Sequence, residues 1–205
     1  MLRVLVHGSD PPLEAALARC SGLELTRDAD ADAGAFLSLG PTPRLQTLAD
    51  ITPSGWTERF DIWAREPFWA FQRWLRAALA RGQGGRWVAV TTTLGAQPFP
   101  GGGPDGASAV ALQTLVRIAA AEYGSEGIRA NAIAAGWRAE STPDGLDAQL
   151  AAADTPSGRL TSHDDLASAI TWLLSDDADQ VNGEILRLDG GYTITAGSRP
   201  DPRTP

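Results

Sequence analysis

The chain has 205 residues, of which 43% are hydrophobic and 20% charged, the balance of an ordinary globular protein. Its formal net charge of −8 disfavours binding to nucleic acids and to acidic membrane surfaces. No apolar run is long enough to cross a bilayer, and the first residues read as a strand rather than a secretory signal. We therefore expect a cytoplasmic protein that binds neither nucleic acid nor membrane.

The reactive side chains are few. All 17 positions counted as Lys or Arg are arginine, so every mechanism that needs a lysine amine is excluded. The single Cys20 rules out an internal disulfide, and one cysteine with two histidines does not make a zinc site. The sequence therefore predicts no metal.

The first forty residues alternate between strand and helix patterns. A short apolar strand is predicted at 3–7, and helical spacing of apolar residues follows at 11–20. Further strands are predicted at 23–26 and 35–39, separated by an acidic, solvated connection at 28–32.

The middle of the chain is rich in aromatic residues. A helix is predicted over 66–80, with Trp69 and Trp74 exposed along it, and a strand over 87–91. The glycine-rich stretch 98–104 is predicted to be a loop.

The second half continues the alternation. It predicts a helix at 106–123, a strand at 128–134, a helix from a capping-box-like start at Ser162 to 175, and a strand at 184–188. The proline-rich tail 198–205 is expected to be disordered. Strands that alternate with helices predict a parallel sheet covered on both faces.

Three ordered segments resemble the short-chain dehydrogenase/reductase family. Residues 128–137 (IRANAIAAGW) resemble its IRVNAIAPG strand and turn, residues 158–167 resemble a GR(L/M)xxPEDIA helix start, and residues 182–192 resemble its closing segment, which ends in Asp-Gly-Gly. The resemblance implies an α/β fold, a Rossmann-like doubly wound parallel sheet, in one domain over 1–197. Gly40 matches a glycine of the family that ends a strand, but after too few residues, so we expect a shortened N-terminal half.

The family binds its dinucleotide at a T-G-x-x-x-G-x-G turn, where glycines let the pyrophosphate approach a helix N-terminus. Gly8 remains in the matching segment, but Pro12 and Glu14 stand where the other two glycines belong. Proline removes an N–H donor, and Glu14 and Asp10 bring negative charge to the phosphate position. We therefore expect no cofactor.

The resemblance also implies a catalytic set of asparagine, serine, tyrosine and lysine. Alignment places Trp63, Thr92, Asp105 and Ala109 at these positions, so that only Thr92 is a conservative replacement. Without a tyrosine–lysine pair, no proton donor is tuned to neutral pH, and we expect no catalytic residues of the standard kind.

These losses favour the hypothesis of a non-catalytic pseudoenzyme, not an enzyme on its own, that serves as the structural or regulatory subunit of an oxidoreductase complex. Its expected partner is an active paralogue in a hetero-oligomer, or a second copy in a homodimer, through helices 66–81 and 106–123, which correspond to the family's main dimer interface. Two alternatives stay open. One is a stand-alone enzyme with non-redox chemistry that uses Thr92 and Asp105, and the other is a module that holds a small metabolite in the vacated cleft.

Overall fold

The computed structural model describes residues 1–139 and 142–195 and contains a six-stranded, fully parallel sheet in the order β2-β1-β3-β4-β5-β6. The strands are β1 (Leu2–His7), β2 (Leu23–Thr26), β3 (Ala35–Leu39), β4 (Gly85–Thr92), β5 (Ile128–Ala135) and β6 (Ile185–Leu188).

Helices follow most strands, as a parallel sheet requires. They are α1 (Pro11–Arg19), α2 (Pro53–Phe60), α3 (Glu66–Arg81), α4 (Gly103–Tyr123), α5 (Ala148–Asp154), α6 (His163–Leu173) and α7 (Tyr192–Thr195).

The two faces of the sheet carry separate apolar cores. Leu13 and Leu17 of α1 pack with Leu166 and Ile170 of α6 on one face, all fully buried. On the other face α3 and α4 cover the sheet, and Phe71 stacks on Trp87 with ring centroids 3.7 Å apart. The predicted Rossmann-like α/β fold, a doubly wound parallel sheet, is confirmed.

The N-terminal half is shortened, as expected. Only β2 lies outside β1, whereas the common doubly wound order has two strands there. Residues 27–34 connect β2 to β3 across β1 without a helix. One strand–helix unit of the common order is therefore absent between β2 and β3.

The helix predicted at 66–80 is the second part of a longer one. It is preceded by α2 and by a π-helical turn, Asp61–Arg65. Trp69 is exposed, as expected, but Trp74 is buried and its indole N–H donates to Ala33 O at 2.9 Å, so the prediction that Trp74 is exposed was wrong.

Other differences concern boundaries. The prediction of a loop through residue 104 was wrong at its end, because α4 begins at Gly103 and proline is well tolerated in a first helical turn. Helices α2 and α5 were not predicted. The single domain over 1–197 stays a prediction, and the tail predicted at 198–205 lies outside the described residues.

Candidate functional site

The carboxyl ends of β1, β3, β4 and β5 lie at one edge of the sheet, called here the carboxyl edge, because these strands are parallel neighbours. In open α/β sheets, ligands bind beyond this edge, where the connections diverge to the two faces. Of the residues singled out in the sequence, Gly8, Gly40 and Thr92 lie at the ends of β1, β3 and β4 and therefore at this edge.

The turn after β1 is shaped by Gly8 and Asp10. Gly8 has φ +86°, and a Cβ there would lie 2.3 Å from Leu39 O, so only glycine fits. Asp10 is the N-cap of α1, and its carboxylate accepts from the Leu13 N–H at 3.2 Å. Pro11 and Pro12, which lie between Asp10 and Leu13, have no backbone N–H to donate.

Two side chains from distant segments lie against the Asp10 carboxylate. Arg138, in the loop after β5, donates to Oδ2 at 2.6 Å, and Nε2 of His163, the first residue of α6, lies 3.2 Å from Oδ1. The side chains of Arg138 and His163 are each 6% exposed and that of Asp10 is 10% exposed. Arg138 also donates to Thr42 Oγ1 at 3.2 Å. These three residues, called the Asp10 cluster below, lie together at the carboxyl edge, and Arg138 and Asp10 form a nearly buried ion pair within it.

Glu14 is engaged in the same turn. Its carboxylate accepts from the Asp10 N–H at 3.2 Å and from Arg27 at 2.8 Å, and Arg27 also donates to Gly8 O at 2.7 Å. Arg27 directly follows β2, a position from which an arginine is able to reach a ribose phosphate in dinucleotide-binding folds. Sequence reasoning missed it, although a basic residue just after the second strand was a usable signal.

These contacts test whether the turn fits a nicotinamide dinucleotide, the cofactor that the fold family implies. A pyrophosphate needs free backbone N–H groups at the start of α1. The Leu13 and Asp10 N–H groups are satisfied by carboxylates, and the Asp10 carboxylate puts a negative charge at the start of this helix. The residues of this turn, as arranged, do not fit a pyrophosphate group.

The end of β4 presents Thr92, which is 5% exposed. Its hydroxyl accepts from the Leu94 N–H at 3.3 Å. Gln113 of α4 donates to the Thr91 hydroxyl at 2.9 Å and to Thr92 O at 3.4 Å, which fixes the strand end against the helix.

Asp105, in the first turn of α4, is 1% exposed and fully engaged. The Arg59 guanidinium donates to both of its oxygens, from Nε at 2.5 Å and from Nη2 at 2.6 Å. The Arg44 N–H donates to the same carboxylate at 2.7 Å. Between the described residues, this carboxylate is bonded to Arg59 and Arg44, and no hydrogen bond joins it to Thr92.

Trp63 and Ala109 are buried. Trp63 lies in the π-helical turn, 1% exposed, and packs so closely on Gly40 that a Cβ there would lie 2.5 Å from its ring. Among the described residues its indole N–H has no hydrogen-bond partner. Single π-helical turns occur often at functional sites. Ala109 is fully buried inside α4 and contributes no polar group.

An open cavity of about 450 Å³ lies beside the Asp10 cluster, within the size range of small-molecule sites. It is lined by residues 42–46 and 142–144, and Thr42 joins it to Arg138. A larger cavity of about 600 Å³ lies at the opposite edge, among paired charges such as Arg3 and Glu24. We place the site at the smaller cavity because Thr42, which lines it, joins it to the Asp10 cluster at the carboxyl edge.

An apolar cluster closes part of the carboxyl edge. Trp137 packs with Leu94, Phe99 and Tyr192, and its ring meets that of Phe99 edge-on at 5.0 Å.

In residues 1–139 and 142–195, no group of three or more His, Cys, Asp or Glu side chains is arranged to hold a metal ion. None of the helices in this part of the chain has the length and apolar character needed to cross a membrane.

The sheet order and the strand-end site define the class of Rossmann-like α/β proteins. A family profile described as enoyl-(acyl carrier protein) reductase matches residues 31–193. The chain belongs to the short-chain dehydrogenase/reductase family, as the sequence motifs indicated.

Two relatives illustrate the family. The chain is 32% identical over 154 residues to an NADPH-dependent aldehyde reductase-like protein of Arabidopsis thaliana, covering 73% of this chain and 57% of that protein. It is 33% identical over 153 residues to a 2,5-dichloro-2,5-cyclohexadiene-1,4-diol dehydrogenase of Sphingobium indicum, covering 71% and 61%. The aligned part is thus about three fifths of the length of these relatives.

Solved structures show the same fold. An oxidoreductase of this family from Burkholderia thailandensis superposes with a TM-score of 0.82 at 19% identity, covering 94% of this chain and 93% of that one. A gluconate 5-dehydrogenase from Burkholderia cenocepacia, solved with NADP and tartrate, gives 0.78 at 21% identity, covering 94% and 95%.

These relationships correct two expectations. The hypothesis of a non-catalytic structural or regulatory subunit was wrong, and so was the statement that the chain is not an enzyme on its own. The relatives at about 30–40% identity are named as dehydrogenases and reductases. Four replaced positions do not outweigh a family relationship that spans more than 70% of the chain.

Proposed function

We propose that the chain is an oxidoreductase that interconverts an alcohol and a carbonyl group at the carboxyl edge of its sheet. The observation that carries this proposal is the 32–33% identity, over more than 70% of the chain, to proteins named as an aldehyde reductase-like protein and a diol dehydrogenase. The cavity of about 450 Å³ beside the strand ends supports a small substrate.

Within this proposal, Thr92 is the residue that holds the substrate oxygen. Its hydroxyl accepts from Leu94 N, which leaves its own O–H to donate toward a carbonyl or alcohol oxygen. The position at the end of β4 is rigid, because Gln113 ties the strand end to α4. A hydroxyl held in this way orients a substrate at little entropic cost.

We further propose that the cofactor and catalytic motifs of the family are altered here. Gly8, Pro12 and Glu14 form the changed turn, and Asp105 and Ala109 replace the tyrosine and lysine. Because the Asp105 carboxylate is held by Arg59, it is not poised to act as a proton donor. A positioned general acid contributes on the order of 10²–10⁴ in rate, and we expect turnover to be lower than in relatives by about this factor.

The test is a direct assay of the purified chain. It is incubated with NADH or NADPH and a panel of aldehydes and ketones, and, in the reverse direction, with the oxidised cofactors and alcohols. Product is identified by chromatography, so that slow turnover is detected. We expect Thr92→Ala to lower kcat/KM and Thr92→Ser to retain most of it. The matched control is Thr114→Ala, an exposed threonine of α4 that we expect to behave as the wild type. Absence of product with every pair, or an unchanged Thr92→Ala variant, would refute the proposal.

A further inference from the structure

The Asp10 cluster contains the groups of an anion-binding site, and the Asp10 carboxylate occupies the position of the anion. The Asp10 carboxylate accepts from the Leu13 N–H at the start of α1, from Arg138, and lies against His163. Helix N-termini, guanidinium groups and imidazoles are the groups that bind phosphate in proteins. Here three such groups, from three separate segments, converge on one side chain of the same molecule.

The Asp10 cluster lies at the turn after β1, where proteins of this fold class bind the pyrophosphate of a dinucleotide. The Asp10 and Glu14 carboxylates satisfy the N–H groups that an incoming phosphate would use. A phosphate approaching the turn therefore meets both a negative charge and donors that are already bonded.

We infer that Asp10 is an intramolecular anion that closes this turn to phosphate groups, and that Arg138 and His163 form the phosphate-binding site it occupies. A nicotinamide dinucleotide enters in the usual position only after the carboxylate leaves Arg138. The inference concerns the same carboxyl edge as the proposed function. It does not depend on turnover, and its test needs no substrate.

Burial explains why the closed form persists. The Arg138 side chain is 6% exposed, and a nearly buried guanidinium without a counter-ion is strongly unfavourable. Removal of the Asp10 carboxylate takes a negative charge away from this guanidinium, and a phosphate from solution is able to take its place. Asp10→Ser is suited to this test because serine is also a good N-cap, so α1 retains its cap while the turn gains space and loses the charge.

The probe is inorganic pyrophosphate, which carries the anionic chemistry of a dinucleotide without its bases. Melting temperature and calorimetric binding are measured for the wild type, Asp10→Ser, and the double variant Asp10→Ser/Arg138→Gln, with potassium chloride of matched ionic strength as the control. We expect Asp10→Ser to bind pyrophosphate more tightly than the wild type by on the order of tenfold or more, with a melting temperature that rises with ligand concentration. We expect the double variant to lose this gain.

Equal binding by the wild type and Asp10→Ser would overturn the inference, and so would a double variant that still binds. If Asp10→Ser fails to fold, Asp10→Asn removes only the charge, retains a good N-cap, and is judged by the same two outcomes. The oxidoreductase assay fails or succeeds separately, because the pyrophosphate experiment contains neither substrate nor nicotinamide.

Discussion

Replacement of Asp105 by leucine is expected to destabilise the fold strongly. The carboxylate is 1% exposed and the Arg59 side chain is 8% exposed, with two short contacts of 2.5 and 2.6 Å between them. Asp105→Leu leaves a buried guanidinium without its counter-ion, which costs about 3–5 kcal/mol. Since domains of this kind are stable by about 5–15 kcal/mol, one substitution removes a large part of the free energy of unfolding.

The assay is urea unfolding followed by the fluorescence of the seven tryptophans. It is applied to Asp105→Leu, Arg59→Met and the double variant. Because the double variant leaves no unpaired charge, its loss of stability is expected to be smaller than the sum of the two single losses by about 0.5–3 kcal/mol or more. Glu58→Gln is the control, since Glu58 and Arg44 form an exposed pair, and it is expected to change stability by less than about 1 kcal/mol. Additive single losses, or a loss below about 1 kcal/mol for Asp105→Leu, would refute the reasoning.

Three further predictions follow from local geometry. Gly40→Ala is expected to cost about 1–3 kcal/mol in urea unfolding, because the added Cβ meets the Trp63 ring at 2.5 Å; no measurable change would contradict the close packing. The pKa of Asp165 is held well below its usual range, first by the Arg159 guanidinium, so its ionised form stabilises the fold above the unfolded pKa of ~3.9 and this contribution is lost as the pH falls toward the folded value. Asp165→Asn is therefore expected to lower the melting temperature at neutral pH and to approach the wild type in acid, whereas a constant difference at all pH values would show that the charge is not responsible. Trp69 is 53% exposed on α3, and we propose, with the helices 66–81 and 106–123 as the interface, that copies of the chain associate there; Trp69→Ser should then weaken association in analytical ultracentrifugation, and an unchanged mass would argue against this interface.

The sequence predicts the order of strands and helices well because each element carries its own periodicity. The strand at 35–39 is apolar at four of its five positions and is buried at all five, as expected of a central parallel strand. The proline and the negative charge of the turn after β1 are visible in the sequence itself, because Asp10, Pro12 and Glu14 are close together along the chain.

The partners of these residues were not predictable in the same way. Arg138 lies 128 residues from Asp10, and Arg59 lies 46 residues from Asp105. Arginine is abundant in this chain, so no pattern distinguishes Arg59 and Arg138, which are buried, from the more exposed arginines of the described residues. The predicted exposure of Trp74 was wrong for a related reason. Its indole N–H donates to Ala33 O, which belongs to a loop distant in sequence.

Because the connection at 27–34 is short, the carboxyl edge of the sheet, over which a ligand binds, is narrower. Neighbouring strands are about 4.8 Å apart, so a sheet with one strand fewer beyond β1 ends that much closer to the turn at Gly8. An elongated two-part ligand lying across these strand ends therefore has one strand fewer beneath its outer part. A compact ligand lying over β3, β4 and β5 would make its contacts to these three strands only, so the absence of an outer strand would not reduce its contacts.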